Sequence, residues 1–248
     1  MKRSLLAVAI VGSLATNIAI AQQDKKPFTM EGGVGGIYTT GNTETTSLSA
    51  SLVAHQELPE WSNDYNIEGL YKKETVQNDE GEDEERTSAE KLFASSQANY
   101  KLTNPDYRVF GFASYEQDKL SNYEYQTTLA VGWNHKLWET DKMSFEYSVG
   151  PGYAWAETQE GEQQDGPIVR ASAAYQWLIS ETAKFTQTVS TEVGEDNTKS
   201  RAETAVSATI SGNLSLKVAL KLDHNSDVDP GIEKLDTETS ITLVYSFF

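Results

Sequence analysis

The chain contains no cysteine, three histidines and six prolines, and beyond its first residues it has no apolar run approaching the roughly 20 residues a membrane-spanning helix needs. Each shortage excludes something. Without cysteine there is no disulfide framework and no thiolate chemistry, so backbone hydrogen bonds and packing must hold the fold. His55 and His135 are expected near one end of the molecule and His224 near the other, too far apart to share a site, and no matched carboxylate pair compensates for them. Cations are also scarce. Twenty Lys and Arg stand against 37 Asp and Glu, a net charge of −17, which leaves no basic face for nucleic acid.

What the sequence does have is alternation. From Leu235 to Phe248, Leu235, Thr237, Thr239, Ile241, Leu243, Tyr245 and Phe247 share one face, and Asp236, Glu238, Ser240, Thr242, Val244 and Ser246 share the other. A period of two is strand geometry. A long alternating strand ending on aromatic residues is how a bacterial outer-membrane barrel closes, and such strands hide their apolar residues from an average hydropathy of −0.52.

About twelve such segments follow one another, with turn signals between them. The clearest run from Tyr123 to Leu137 and from Met143 to Trp155. In the first, Leu129, Val131 and Trp133 oppose Thr128, Gly132 and Asn134, with Tyr123 and Tyr125 on the apolar side. The pattern predicts an all-β fold: a single antiparallel transmembrane β-barrel of about 12 strands with up-and-down topology, over residues 29–248. Aromatic residues near the strand ends predict girdles at both membrane interfaces. Residues 1–21 read as a cleaved signal peptide, with Lys2 and Arg3, an apolar stretch and a small-residue end at Ala19-Ile20-Ala21. Its removal would take the net charge from −17 to −19. Residues 22–28 read as a periplasmic lead-in.

If the barrel starts in the periplasm, the odd-numbered turns face outward. They include the three longest and most acidic connectors: Asn78 to Arg86, Glu157 to Pro167, and His224 to Lys234. Short periplasmic turns and long outer loops are the usual asymmetry. The stretch from Asp223 to Gly231 spaces acidic and amide side chains as a calcium loop does, but Val228 or Pro230 occupies the glycine position, so it reads as a solvated turn. No metal or cofactor is expected.

Gly41-Asn42-Thr43 followed by Ser47-Leu48-Ser49-Ala50, then Gly150-Pro151-Gly152, Ala183-Lys184-Phe185-Thr186-Gln187 and Leu216-Lys217-Val218-Ala219 with the closing strand, give the chain its resemblance to a known family. Along its mature length it resembles the YdiY-like, salt-induced outer-membrane proteins, a family of unknown function. The resemblance implies an outer-membrane barrel tied to salt or osmotic response, with no catalytic residues to carry over. Phe248 extends one residue past the expected aromatic end.

Expected on the inner face are Glu68, Lys72, Glu124, Lys136, Glu146, Arg170, Arg201, Glu203, Lys217, Lys221 and Glu238. Such charges either line a pore or pair across the lumen and plug it. Pairs that meet across the barrel favour a plug, and one-sided clusters favour a pathway. A narrow or gated channel for ions or small solutes leads. Its alternatives are a non-conducting structural or envelope-stress barrel acting through acidic loops, and a barrel phospholipase or protease for which no residues qualify. Expected partners are outer-membrane lipid, lipopolysaccharide, the barrel-assembly machinery and periplasmic chaperones, around a monomer.

Overall fold

A computed structural model describes residues 27–39, 45–77, 83–119, 121–229 and 232–248. The expected leader, nearly all of the lead-in and the Gly41-Asn42-Thr43 turn lie outside these residues. None of the described residues is helical. They form twelve strands: Phe28–Thr39 (β1), Thr45–Glu57 (β2), Trp61–Gln77 (β3), Asp83–Lys101 (β4), Tyr107–Asp118 (β5), Tyr123–Glu139 (β6), Met143–Thr158 (β7), Gln163–Leu178 (β8), Ala183–Val193 (β9), Thr198–Ser211 (β10), Leu214–Asn225 (β11) and Leu235–Ser246 (β12).

Every strand pairs antiparallel with its chain neighbours, and β1 pairs with β12, so the sheet closes into an up-and-down barrel. The closing ladder is the shortest, with Glu31 to Val34 set against Ser246 to Leu243. Phe247 N donates to Met30 O at 2.9 Å just beyond it. Both ends of β1 to β12 and all the even-numbered turns sit at one end, here the terminal rim. The odd-numbered turns form the opposite, distal rim.

The expected alternation holds along most strands. Outside, Val34, Leu48 and Val131 keep 61%, 62% and 61% of their surface exposed, as part of a belt of Leu, Val, Ile and aromatic side chains around the whole barrel. Water tolerates contiguous apolar patches of only a few hundred Å². A closed barrel inside such a belt is a transmembrane one, with every ladder satisfied internally. Aromatic contacts ring the terminal end at Trp61–Tyr100, Tyr107–Trp133, Trp138–Phe145 and Tyr245–Phe247, with ring centroids 4.9–5.3 Å apart. Tyr153 and Trp155 mark the distal side, 4.7 Å apart.

Two expectations about the loops change. Asp83 to Arg86 and Gln163 to Pro167 are expected in loops, but both stretches are strand, because their backbones extend the β3–β4 and β7–β8 ladders. The distal side therefore projects as hairpin more than as loop, and only residues 159–162 connect β7 to β8. His55 faces inward and bonds Asp64, whereas His135 faces outward and stacks on Tyr107.

The Gly150-Pro151-Gly152 segment has a packing reason. Pairing of β6 with β7 skips from Ala130↔Gly152 to Trp133↔Val149, where Pro151 has no N–H to contribute. The two backbones close in there. A Cβ on Gly150 would lie 2.0 Å from Val131 O, and one on Gly132 would lie 2.9 Å from the ring of buried Phe110. Gly150→Val should therefore cost about 3 kcal/mol or more through overpacking and backbone shift. The check is the urea midpoint of refolded protein, read by heat-dependent gel mobility, with Gly166→Val as the control because its Cβ would meet open space.

Candidate functional site

The inner face carries the chemistry. Strands β4 and β10 lie half the ring apart and face each other directly. From β10, Arg201 reaches across to Glu116 on β5 through Nη2, at 3.0 and 3.1 Å, and its guanidinium lies 4.4 Å above the Phe93 ring on β4. Arg201 Nε also donates to Asp223 on β11. Lys91 on β4 completes a ring of charge, 2.8 Å from Glu116 and 3.2 Å from Asp223. Lys199 adds a bond to Glu116 at 2.5 Å and another to Gln126. Two cationic side chains from one wall and one from the other thus enclose two carboxylates.

Below this network Lys221 Nζ meets Glu68 Oε2 at 2.7 Å, and Asn66 donates to Glu68 at 2.7 Å. Arg170 stands 3.7 Å over the Phe112 ring and 3.3 Å from Glu192, whose other oxygen accepts from Thr128 at 2.8 Å. Each cation is matched by a carboxylate or an aromatic face, as buried charges require. Nearer the terminal rim, the β2–β7 side fills with His55–Asp64 (2.7 Å), Lys101–Glu57 (2.5 Å) and Arg108–Glu146 (3.9 Å).

The distal mouth is covered as well. Residues 226–229 leave β11 and lean over the opening to the β6 side. Tyr123 Oη donates to Asp227 O at 3.0 Å, Gln164 Nε2 donates to Asp227 Oδ2 at 3.3 Å, and Asp229 N donates to Asn122 Oδ1 at 3.0 Å. Asn197 Oδ1 accepts from Ser226 N and Asp227 N at 2.9 and 3.2 Å. Beside the network, on the distal side, a small cavity of about 10 Å³ is bounded by Lys91, Glu116, Tyr123, Lys199, Asp223 and Asp236. The terminal side differs, with an open cavity of about 240 Å³ among β1, β2 and β8 to β12.

Of the inward candidates, Glu68 with Lys221, and Glu203 with Lys217 at 2.7 Å, meet each other. Arg201, Arg170 and Glu146 meet residues the sequence reading did not single out. Lys72 lies 3.8 Å from Glu74, Lys136 lies 2.8 Å from Glu139 at the terminal rim, and Glu238 is on the inner face in register with Lys221. Glu124 is the exception. A bulge between Tyr123 and Tyr125 inserts one residue, so Glu124 is exposed at the distal rim and Tyr123, expected outside, turns in and is buried. Lys91 and Glu116 were missed because Phe93, Phe110 and Phe112 sit on the same inward face, which blurs the apolar–polar alternation of β4 and β5, and Asp223, which shares the parity of Lys217 and Lys221 on β11, was read as the start of the acidic turn. The shared parity of Arg108 and Glu116 was the available signal. Among the described residues no three acidic or histidine side chains converge as a metal site would need.

Residues 32–247 match the family model described as "Protein of unknown function, DUF481". The chain belongs to this family. It is 31% identical over 225 residues to the uncharacterized protein YdiY of Escherichia coli strain K12, which covers 90% of this chain and 84% of that protein. Among solved structures, an outer membrane channel from Pseudomonas putida F1 aligns with a TM-score of 0.49 at 10% identity, over 98% of this chain and 97% of that one. The NanC porin aligns with a TM-score of 0.48 at 10% identity, over 89% and 99%.

If the network is a mutual clamp, removing one member should cost more than removing two. Arg201→Met leaves two facing carboxylates short of a cation and should lower stability by about 3 kcal/mol, in the range for breaking a buried pair. Arg201→Met/Asp223→Asn should recover about half of that. The urea midpoint of the refolded barrel measures both.

Proposed function

We propose that this protein is an outer-membrane barrel that works as a narrow, gated conduit for ions and small solutes, closed at rest by its own side chains. The observation that carries this reading is the Lys91–Glu116–Arg201–Asp223 network, whose members come from opposite walls and meet at the lumen axis. No folded-in segment is needed to block the barrel. A closure made of side chains opens by rotamer change, without unfolding backbone.

The terminal rim, with its short turns and both strand ends, faces the periplasm in this reading, and the longer hairpins and the strap face outside. The two closures act in series. The strap covers the outer mouth through hydrogen bonds to backbone and amide groups, and the ion pairs close the lumen beneath it. The salt or osmotic link implied by the family resemblance fits such a gate, since ion pairs weaken when mobile ions compete for them. Raising salt from 0.1 to 1 M shortens the screening length from about 10 to 3 Å.

The contrasting reading is a permanently plugged structural barrel, and the same network favours it if the pairs never part. Conductance in planar bilayers separates the two. The mature wild type should show brief, rare openings that become more frequent as salt is raised, beyond the rise in bulk conductivity. Glu116→Ala/Arg201→Ala should give sustained unitary steps. A folded double variant that remains silent would sink the conduit and leave the structural barrel.

A further inference from the structure

The terminal cavity of about 240 Å³ contains the one lumen-facing cation of β9, Lys184, and the one carboxylate of β1, Glu31. Neither is used by the gate. Among the described residues, Lys184 Nζ makes no hydrogen bond or ion pair, while Lys217, the cavity's other lysine, holds Glu203 at 2.7 Å. Among the described residues, Glu31 accepts a single long bond of 3.5 Å, from Ser246 Oγ. The two opposite charges line the same space without pairing with each other. Around them lie hydroxyls from Ser51, Ser207 and Thr209, and a small apolar wall of Val53, Leu178, Ala205 and Val244.

Elsewhere on the inner face, among the described residues, Arg201 with Asp223 and Glu116, Lys221 with Glu68, Lys217 with Glu203 and Arg170 with Glu192 have closed on one another as ion pairs. Here strand positions four places apart on the ring hold them open across a space large enough for a ligand of several heavy atoms. A monovalent anion would answer Lys184 and leave Glu31 facing it, and a cation would do the reverse. A dipolar molecule answers both. Its carboxylate takes the ammonium of Lys184, its own ammonium takes Glu31, and a short aliphatic part rests on the apolar wall. Charge-assisted hydrogen bonds of this kind are roughly twice as strong as neutral ones.

We propose that the terminal cavity is a binding site for a small zwitterion of the α-amino-acid type, held between Lys184 and Glu31. The site names a solute class for the conduit, yet it does not depend on conduction, because it opens to the terminal rim below the closed network.

Equilibrium binding to the refolded, full mature barrel in detergent micelles tests it, read by saturation-transfer NMR with glycine, L-alanine, acetate and methylammonium as the probes. Glycine and alanine should bind with millimolar or better affinity, and acetate and methylammonium at least tenfold more weakly. Lys184→Met and Glu31→Gln should each reduce alanine binding at least tenfold, and Lys184→Arg should retain most of it. Gate variants such as Glu116→Ala should bind alanine as the wild type does, so a silent bilayer and an empty cavity are separable failures. Equal binding of acetate and alanine, unaffected by Glu31→Gln, would reduce the site to a simple anion pocket and overturn the proposal. Absence of alanine binding to a barrel with native gel mobility would overturn it too.

Discussion

In hydrocarbon a backbone N–H has no water to turn to, and leaving one unpaired costs several kcal/mol. That constraint shapes the whole molecule. It requires the sheet to meet itself, as β1 and β12 do, and one lapse in the β6–β7 ladder falls where Pro151 brings no N–H. A closed ring of alternating residues then leaves one face for lipid and one for the interior. The exterior is answered by apolar side chains around the full circumference. The interior of a twelve-stranded barrel lies between the eight-stranded case that side chains just fill and the open porins of 16 or more strands, so strand number alone does not fix what occupies it. In this barrel long charged side chains reach in from the walls.

Those charges are costly to bury alone, so they are buried together. Arg201, Lys91 and Lys199 reach from their walls to Glu116 and Asp223, and Phe93 and Phe112 offer their ring faces to arginines in place of water. The chain is strongly acidic, yet its inner face mixes both signs closely. Most of the excess negative charge is therefore carried at the rims and hairpins. The contacts that join opposite walls across the lumen also stabilise the barrel, so in the proposed conduit closure and stability would weaken together as mobile ions compete for the pairs.

Legibility in the sequence followed the strength of the alternation. In β6, β7, β11 and β12 the apolar residues are large and the inward ones small or charged, and strand positions, faces and strand number could be read directly. In β4 and β5 the inward phenylalanines, placed there to stack on arginines, mimic lipid-facing residues, and Lys91 and Glu116 were hidden among them. Glu124 was misplaced because a bulge leaves no mark in a two-residue period. The strap of residues 226–229 depends on contacts with Asn122, Tyr123 and Asn197, far away in sequence, so its composition showed only a polar turn.

The central claim is that side chains close the lumen between the distal mouth and the terminal cavity. A chain without cysteine allows a direct measurement, because Ser207→Cys places a single thiol in the terminal cavity below the network. The barrel is inserted in one orientation in vesicles, and a membrane-impermeant thiol reagent is added from either side at low salt. The account predicts rapid labelling from the terminal side and almost none from the distal side. Equal labelling from both sides would show an open lumen and contradict it.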